Sequence, residues 1–376
     1  MADNIFEKSS KLVHILRDER FLYPEFVPEK LVHRDREIDE LVYAFNPVVK
    51  GQKPLNVVLL GAPGTGKTVT SKYVLNQLQE YSDRAKSLYI NCFEFNTRTS
   101  ILSMLVNFLG SPVPRRGRGT DEVYQQLLSS LEKSSFVPLI ILDEVDQLIA
   151  KEDGEKTLYD LLRVIEFKKI HLGLIIISND FAFTSKLDAR IKSSLGGQTI
   201  VFNPYTPKQL KDILWERCEK AFSPNAVEED AVNVAAAHSA KMGGDARVAI
   251  DILLKAGRLA EKNNEKMLKL VHVREIIDSS SQHPLERILP FLSDAEKIVL
   301  KILAQREEIE ASELFNQYSH KVSKPLTQRH FLSLISRLES LNLVKTLIVE
   351  RANKGRGKNV LLNIPKESIL EQLKQK

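Results

Sequence analysis

The sequence predicts an α/β core with a parallel, doubly wound sheet, then an all-α part, then a small helical part that ends in a β-hairpin. Three observations predict this arrangement. Short aliphatic runs alternate with helical patterns as far as residue 203, helical patterns alone continue to about residue 280, and three helical patterns precede two apolar runs near the C-terminus. Alternating strands and helices are typical of a parallel sheet. We therefore predict domains at residues 1–203, 204–281 and 282–376.

The overall composition narrows the class of protein. The chain has 376 residues, of which 43% are hydrophobic and 27% charged, as in soluble globular proteins. No apolar run approaches the ~20 residues that a membrane helix needs, and the charged N-terminal stretch does not resemble a signal peptide. Cys92 and Cys218 lie far apart without metal-type spacing, so we expect buried, inert thiols. These features predict an intracellular protein.

Positive charge is concentrated towards the C-terminus. The whole chain carries a net charge of +5, and residues 282–376 alone hold 16 Lys and Arg against 11 Asp and Glu. Within residues 321–358 nine cations stand against two acids. A localised positive field of this kind predicts a polyanionic partner. A solvated surface without a partner is the alternative.

A glycine-rich loop between a strand and a helix predicts a nucleotide site. The run "LNVVLL" leads into "GAPGTGKT" (residues 61–68), which fits the pattern GxxxxGK[ST] throughout. In such a phosphate loop the backbone N–H groups and the next helix N-terminus face the phosphates, Lys67 reaches the β- and γ-phosphates, and Thr68 holds Mg²⁺. We therefore predict ATP or ADP and Mg²⁺ as cofactors. The nucleotide-binding residues assigned here are Gly61, Pro63, Gly64, Thr65, Gly66, Lys67, Thr68 and Val69.

Two further aliphatic strands end in polar residues that suit ATP hydrolysis. The run "FVPLIILDE" ends in Asp143, which would hold the Mg²⁺ through water, and Glu144, which would polarise the attacking water. The run "LGLIIISND" contains Asn179, an amide that can sense the γ-phosphate and orient this water. A solvated turn is the alternative for the two acids. With the phosphate loop present, we assign catalysis to Lys67 together with these three residues.

The last part of the chain predicts a winged helix. Ser293 is the expected cap of the first helix, and the third helix has an apolar stripe at helical spacing, made of Phe331, Leu334, Ile335, Leu338 and Leu341. The basic run "ERANKGRGKNV" lies between "LVKTLIV" and "VLLNI", which predicts a hairpin. Such a unit would place its third helix in the major groove and its wing along the DNA backbone or in the minor groove. A protein-docking module is the alternative. The predicted DNA contacts are Gln328, Arg329, Arg337, Arg351, Lys354, Arg356 and Lys358.

Several stretches outside these motifs resemble the AAA+ ATPases, and more narrowly the archaeal replication initiators of the origin-recognition and cell-division-control type. They are "FVPEKLVHRDREIDEL", "KLDARIKSSLG", "FNPYTPKQLKDILWERCEKAF" and "GGDARVAIDILLKAG". The resemblance extends over essentially the whole chain. It implies an AAA+ P-loop ATPase core, an α-helical lid and a C-terminal winged-helix DNA-binding domain.

The resemblance also implies residues that surround the nucleotide. It places His33 and Arg34 nearest the adenine base, with a backbone contact or a surface turn as the alternative for His33. Tyr205 and Arg217, where the lid begins, would belong to the nucleotide pocket. A surface position on a helix is the alternative for Arg217.

Two further arginines have roles implied by the resemblance. Arg247 corresponds to the sensor-two arginine, which lies over the γ-phosphate in cis. Arg190 corresponds to the finger-like arginine, which acts in cis or in trans. A surface helix cation is the alternative for Arg190. We count both among the predicted catalytic residues.

A second basic stretch lies between the second strand and the acidic strand. Residues 95–120 contain Arg98, Arg115, Arg116 and Arg118 and no acid. In the resembling family this is the initiator-specific insertion, which touches DNA from the ATPase side. We therefore predict that Arg115, Arg116 and Arg118 bind DNA, and a flexible solvated loop is the alternative.

Together these features predict an ATP-dependent DNA replication initiator that binds duplex origin DNA and helps recruit the replicative helicase. The complete catalytic set predicts an enzyme, a slow ATPase that acts mainly as a nucleotide switch. The alternatives are an AAA+ ATPase that gates transcriptional or signalling DNA binding, a clamp-loader-type ATPase and a constitutive DNA-binding protein that retains ADP.

Partners and location follow from the resemblance. It implies double-stranded origin DNA, an MCM-type replicative helicase and sister initiator proteins as partners, and no membrane. The absence of a long N-terminal extension resembles the archaeal rather than the nuclear proteins. We therefore expect a cytoplasmic, nucleoid-associated protein.

Overall fold

The computed structural model describes residues 13–112, 119–167, 171–281, 288–306, 308–351, 355–364, 366 and 369. The chain divides into two compact units, Met1–Ile276 and Ile277–Lys376. The described residues of both units form hydrophobic cores. The predicted boundary at residue 203 lies inside the first unit, and the three-domain division stays a prediction.

A five-stranded parallel sheet organises the first unit, in the order β2-β3-β4-β1-β5. The three inner strands are buried along their whole length, which explains their continuous aliphatic runs. The parallel α/β core is thereby confirmed. The carboxyl ends of these strands meet at one edge of the sheet, where such folds bind ligands. The strands are β1 (Val57–Gly61), β2 (Ala85–Asn91), β3 (Val137–Asp143), β4 (Gly173–Ser178) and β5 (Gln198–Phe202).

Helices cover the sheet and bury a core on each of its faces. The helix that follows the phosphate loop begins at Lys67, directly after Gly66, whose backbone is left-handed. The next helix begins with a capping box in which Thr97 and Ser100 satisfy each other's backbone N–H groups. These helices are α1 (Asp35–Phe45), α2 (Lys67–Tyr81), α3 (Arg98–Phe108), α4 (Thr120–Glu132), α5 (Val145–Ile149), α6 (Gly154–Phe167), α7 (Phe183–Lys186) and α8 (Ala189–Leu195).

Four helices follow the sheet, as the sequence predicts for an all-α lid. They are α9 (Pro207–Ala221), α10 (Glu229–Lys241), α11 (Ala246–Lys262) and α12 (Leu270–Ser281). Thr206 and Gln209 form a capping box at the start of α9, and Asp245 caps α11. The thiols of Cys92 and Cys218 are free and buried, as expected. No helix among the described residues is long and apolar enough to cross a membrane.

The second unit is a winged helix. Its helices are α13 (Asp294–Leu303), α14 (Ala311–Lys321) and α15 (Gln328–Ser340), and its strands are β6 (Glu308–Glu310), β7 (Val344–Arg351) and β8 (Gly355–Leu362). Ser293 caps α13 with a capping box, and the apolar stripe of α15 packs into the core, which confirms both predictions. The short strand β6 is a finding that the sequence did not predict. It pairs with β8 and completes a three-stranded sheet in the order β6-β8-β7.

Candidate nucleotide site and DNA-binding surface

The phosphate loop closes tightly against the elements behind it. Gly64 and Gly66 have backbone φ angles of 72° and 92°, in the left-handed region that favours glycine. A Cβ atom at Gly66 would lie 2.5 Å from the hydroxyl oxygen of Tyr205. The loop therefore needs glycine at position 66 both for its backbone and for its packing. It borders a cavity of about 520 Å³, which Lys67, Thr68, Asp143, Glu144, Asn179, Tyr205, Arg217 and Arg247 also line.

Lys67 is buried among the polar residues that line the cavity, and this part is called the polar end. Its Nζ donates hydrogen bonds to the carbonyl oxygens of Gly61 and Ala62, at 2.7 and 2.9 Å, and to Oδ1 of Asn179 at 3.0 Å. Burial lowers the pKa of Lys67 to about 8, and the charge of Arg247 acts in the same direction. An anion in the cavity would favour the charged form of the lysine. This donor set therefore fits a phosphate group.

Asp143 receives three hydrogen bonds at the end of β3. The hydroxyls of Thr68 and Tyr89 donate to its Oδ2 at 2.6 and 3.1 Å, and the backbone N–H of Glu144 donates to its Oδ1 at 2.9 Å. The predicted Mg²⁺ residues Thr68 and Asp143 are therefore adjacent, and hydroxyl and carboxylate oxygens are ligands that Mg²⁺ accepts. Tyr89 is a member of this site that sequence reasoning missed. Burial and the neighbouring Asp143 carboxylate raise the pKa of Tyr89, so its phenol remains a donor.

Glu144 has a strained backbone. Its φ and ψ angles are 54° and 43°, which places a non-glycine residue in the left-handed region just before α5. Its side chain lines the cavity beside Asp143 and Lys67. Strain of this kind often marks residues whose position matters for function. The predicted water-polarising role of this carboxylate stays a prediction.

Asp146 holds the end of β4 in position. Its Oδ1 accepts a hydrogen bond from the hydroxyl of Ser178 at 2.6 Å, and its Oδ2 accepts one from the backbone N–H of Asn179 at 3.0 Å. Asn179 in turn contacts Lys67. Sequence reasoning also missed Asp146, although its place in "DEVD", three residues after Asp143, could have indicated it.

Another group of residues that line the cavity is apolar and suits a flat base; this part is called the apolar end. It is lined by Phe26, Pro28, Leu31, Val32 and Ile213. Arg217 is buried here and donates to the carbonyl oxygens of Phe21 and Phe26, at 3.0 and 3.2 Å. Its guanidinium carbon also lies 4.7 Å from the centre of the Phe26 ring. Arg217 therefore lines the pocket and holds the segment at residues 21–26 in place.

His33 and Arg34 lie outside the lining of this cavity, which differs from the expectation that they are nearest the base. Arg34 is buried, and its Nη2 donates to the carbonyl oxygens of Thr65 and Asn203 at 2.7 and 2.8 Å. Its guanidinium carbon lies 3.9 Å from the centre of the Tyr205 ring. These contacts occupy the side chain. Arg34 therefore holds the phosphate loop, through Thr65, against the segment that contains Asn203 and Tyr205. His33 turns instead towards Asp212, with 2.8 Å between Nε2 and Oδ2.

The two remaining predicted arginines are placed differently. Arg247 lines the cavity beside Lys67, whereas Arg190 does not. The side chain of Arg190 is 77% exposed and pairs with Asp188, with 3.0 Å between Nε and Oδ1. The side chain of Arg247 pairs with Asp245, with 2.9 Å between Nη2 and Oδ2. A role for Arg190 across subunits stays a prediction.

The winged helix presents cations on the exposed face of α15. Gln328, Arg329 and Arg337 are exposed there, opposite the buried apolar stripe. Nη1 of Arg337 lies 3.4 Å from Oε1 of Glu296, a carboxylate that is buried at the start of α13. In the hairpin, Nζ of Lys358 lies 4.0 Å from Oε2 of Glu339, on the last turn of α15. Some of the predicted DNA contacts are therefore tethered to carboxylates of the same unit.

The structure does not describe the side chains of the other predicted DNA contacts. Arg351 and Arg356 lie in β7 and β8, and their side chains are outside the described residues. Lys354 lies outside the described residues altogether. The same holds for the insertion residues Arg115, Arg116 and Arg118. Contacts by these six residues stay predictions.

The described part of the predicted insertion, residues 95–120, contains α3 and ends at the first residue of α4. Arg98, at the start of α3, is buried, and its Nε lies 2.7 Å from Oδ2 of Asp160. Its Nη1 lies 3.1 Å from Oδ1 of Asp121, one residue beyond the acid-free stretch. Arg98 therefore anchors the insertion and does not add to a free basic surface.

Comparisons with known proteins agree with this architecture. Three family models match, described as an AAA domain at residues 50–183, a Cdc6 AAA+ ATPase-type lid domain at 211–277 and a CDC6 C-terminal winged helix domain at 292–372. An ORC1-type DNA replication protein of Pyrococcus abyssi is 34% identical, over 96% of this chain and 90% of that protein. ORC1-type DNA replication protein 1 of Sulfurisphaera tokodaii is 34% identical, over 100% of this chain and 97% of that protein.

A solved structure is similar over the same extent. It is the structure of the Aeropyrum pernix ORC1 protein in complex with DNA. Its TM-score is 0.72 at 31% sequence identity, and the match covers 96% of this chain and 97% of that chain.

Proposed function

This chain belongs to the family of ORC1-type archaeal DNA replication proteins, and on that premise we propose that it is an ATP-dependent initiator that binds duplex origin DNA and helps recruit the replicative helicase. The observation that carries the proposal is that one chain joins a cavity lined by Lys67, Asp143, Glu144 and Asn179 to a winged helix with exposed cations. Family membership disfavours the clamp-loader and signalling alternatives.

The proposed nucleotide is ATP or ADP, bound along the cavity. The apolar end around Phe26 and Ile213 would take the base, and the phosphate loop would take the phosphates. Thr68 and Asp143 would hold Mg²⁺, which neutralises charge on the phosphate oxygens during transfer. Lys67 would exchange its hydrogen bond with Asn179 for one with a phosphate oxygen.

Hydrolysis in this proposal depends on residues around the phosphate end. Glu144 orients and polarises the attacking water, and Asn179 fixes its direction. Arg247 stabilises the charge that develops on the γ-phosphate. Arg247 pairs with Asp245, a carboxylate that would compete with the γ-phosphate, and this pairing supports slow turnover and the role of a nucleotide switch.

DNA binding is assigned first to the winged helix. Arg329 and Arg337 on α15 would enter the major groove or contact the flanking phosphates, and the hairpin of β7 and β8 would follow the backbone. The insertion is assigned a second contact through residues 115–118. The support for this contact is that α3 and α4, which precede and follow the segment, are joined by the ion pair between Arg98 and Asp121, and that Arg98 also pairs with Asp160. In the similar Aeropyrum pernix structure the ORC1 protein is in complex with DNA.

The remaining parts of the proposal rest on family membership alone. They are the recruitment of an MCM-type helicase, cooperation with sister initiators and association with the nucleoid in the cytoplasm.

The experiment is fluorescence anisotropy with labelled duplexes from the origin region of the same genome and with scrambled duplexes of equal composition. Each titration is made with ATP or ADP and over a series of salt concentrations. We expect tighter binding to the origin duplex and a nucleotide-dependent difference. The Lys67→Ala variant is the control, and its affinity should be the same with either nucleotide.

Equal, salt-sensitive binding to every duplex would contradict origin recognition. It would leave a winged-helix ATPase that binds DNA through charge alone. Absence of any binding by the full chain would contradict the DNA assignment itself.

A further inference from the structure

Asp245 lies where the lid helix α11 meets the phosphate loop. A Cβ atom at Gly64 would lie only 1.7 Å from Oδ1 of Asp245, so no side chain at position 64 fits beside this carboxylate. The backbone N–H of Ala246 also donates to the carbonyl oxygen of Gly64 at 3.2 Å. The start of α11 therefore packs directly on the apex of the loop that would hold the phosphates.

The same carboxylate holds Arg247 with both of its oxygens. Nη2 of Arg247 donates to Oδ2 at 2.9 Å, and Nε donates to Oδ1 at 3.2 Å. Burial disfavours the charged form of Asp245, but the hydrogen bonds from Arg247 keep the pKa of this carboxyl below its usual value. This is the one ion pair of Arg247 within the described part of the chain. The edge of the guanidinium formed by Nε and Nη2 is therefore occupied by Asp245.

A phosphate would need the same donors. A guanidinium presents its N–H groups in a planar fork that suits a carboxylate or a phosphate. Arg247 lines the polar end of the cavity together with Lys67 and Glu144. A third phosphate that bound the Nε and Nη2 edge would take Arg247 away from Asp245, whereas a diphosphate, which is one group shorter, would leave the pair intact.

We propose that Asp245 sets the preference of this site between ATP and ADP by competing with the γ-phosphate for Arg247. The proposal rests on the proposed nucleotide binding. ATP must break the ion pair between Arg247 and Asp245 in order to bind Arg247, and the cost of breaking it weakens ATP binding. ADP leaves the pair in place, so its binding is not weakened. Asp245 thereby favours the ADP-bound state. Because Asp245 caps α11 and lies against Gly64, loss of its pair with Arg247 would also affect how α11 packs on the phosphate loop.

The structural alternative is that Asp245 acts only as a helix cap. Its Oδ1 accepts a hydrogen bond from the backbone N–H of Arg247 at 2.8 Å, as an N-cap residue does. Asn keeps the capping oxygen and removes the charge, so Asp245→Asn separates the two roles. Asp245→Ser also keeps a capping oxygen without the charge and serves as a second variant.

The experiment compares the affinities of the full chain for Mg²⁺-ADP and for an ATP analogue with a non-hydrolysable bridge, by calorimetry. The quantity of interest is the ratio of the two dissociation constants, ADP over analogue. We expect Asp245→Asn and Asp245→Ser to raise this ratio by about three- to tenfold, because a half-exposed charge pair no longer opposes the analogue.

Asp188 provides a matched control. It caps α8 and pairs with Arg190 in the same Asp-x-Arg arrangement, outside the cavity. Asp188→Asn should leave the ratio unchanged. An unchanged or lower ratio in both Asp245 variants would overturn the proposal. A wild-type chain that binds neither nucleotide would instead overturn the proposed function, and the inference with it.

Discussion

The nucleotide cavity of the first unit and the exposed face of α15 in the second unit both depend on cations, but they hold them in opposite ways. Lys67 is 5% exposed and donates three hydrogen bonds to protein oxygens. Arg329 is exposed, and no ion pair or hydrogen bond of its side chain occurs among the described residues. Arg337 lies between these cases, because one contact ties it to Glu296.

This difference indicates how each region responds to substitution. In the cavity each polar group positions another, so the loss of one disturbs its neighbours and effects are not additive. On the α15 face each cation acts nearly alone through a field that salt screens. We therefore expect large effects on turnover from the cavity and small, salt-dependent effects on DNA affinity from α15.

The largest expected effect is on turnover in the Glu144→Gln variant. Loss of the carboxylate that polarises water should reduce phosphate release by about 10²- to 10⁴-fold, while ATP binding is retained. Single-turnover phosphate release and calorimetry measure the two quantities. Glu152→Gln is the control, since Glu152 is an exposed acid outside the cavity and its loss should leave turnover unchanged. Normal turnover by Glu144→Gln would move the water-activating role to another residue.

A smaller effect is expected from pH. The pKa of Lys67 is lowered to about 8, chiefly by burial, so the empty site loses its positive charge as pH rises through that value. A bound phosphate favours the charged lysine, so nucleotide affinity should fall as pH rises. Between about pH 7.5 and about pH 9 the fall should be roughly eightfold.

Calorimetric titrations with Mg²⁺-ADP across this pH range test the effect. The Lys67→Arg variant keeps its charge throughout, so its affinity, although weaker, should change little with pH. A wild-type affinity that is constant over the range would show that the lysine is charged in the empty site at every pH tested.

The smallest effect is expected on the α15 face. Arg329→Ala should weaken duplex binding a few-fold and reduce the slope of log affinity against log salt by about 0.9, the value for one lost phosphate contact. Arg306→Ala, a cation paired with Glu313 elsewhere in this unit, is the control. An unchanged slope would place the DNA away from this end of α15.

Arg337→Ala sharpens the comparison. It should change the slope in the same way, but it also removes an ion-pair partner of the buried Glu296. We therefore expect it to lower the midpoint of thermal unfolding, whereas Arg329→Ala should not. Equal midpoints for the two variants would show that the contact with Glu296 contributes nothing to stability.

Local patterns explain most of what could be predicted from the sequence. The phosphate loop, the acidic end of β3 and the cap at Ser293 are each encoded within a few residues, because backbone geometry and hydrogen bonding at these places are local. The strand β6 has three residues and was missed, since its pairing with β8 depends on residues about 50 positions away. A pattern this short does not distinguish a strand from the start of a helix.

The sequence by itself determined most of the chemical groups that this protein brings to a nucleotide and the order of its helices and longer strands. Only the tertiary structure decided how those groups are used. Arg34 turns to Thr65, Arg98 turns to Asp160, and Arg247 turns to Asp245. The partner of a charged side chain depends on which carbonyls and carboxylates the folded chain places within about 3 Å of it. Sequence spacing reports residue type and helical face, and it does not report that distance.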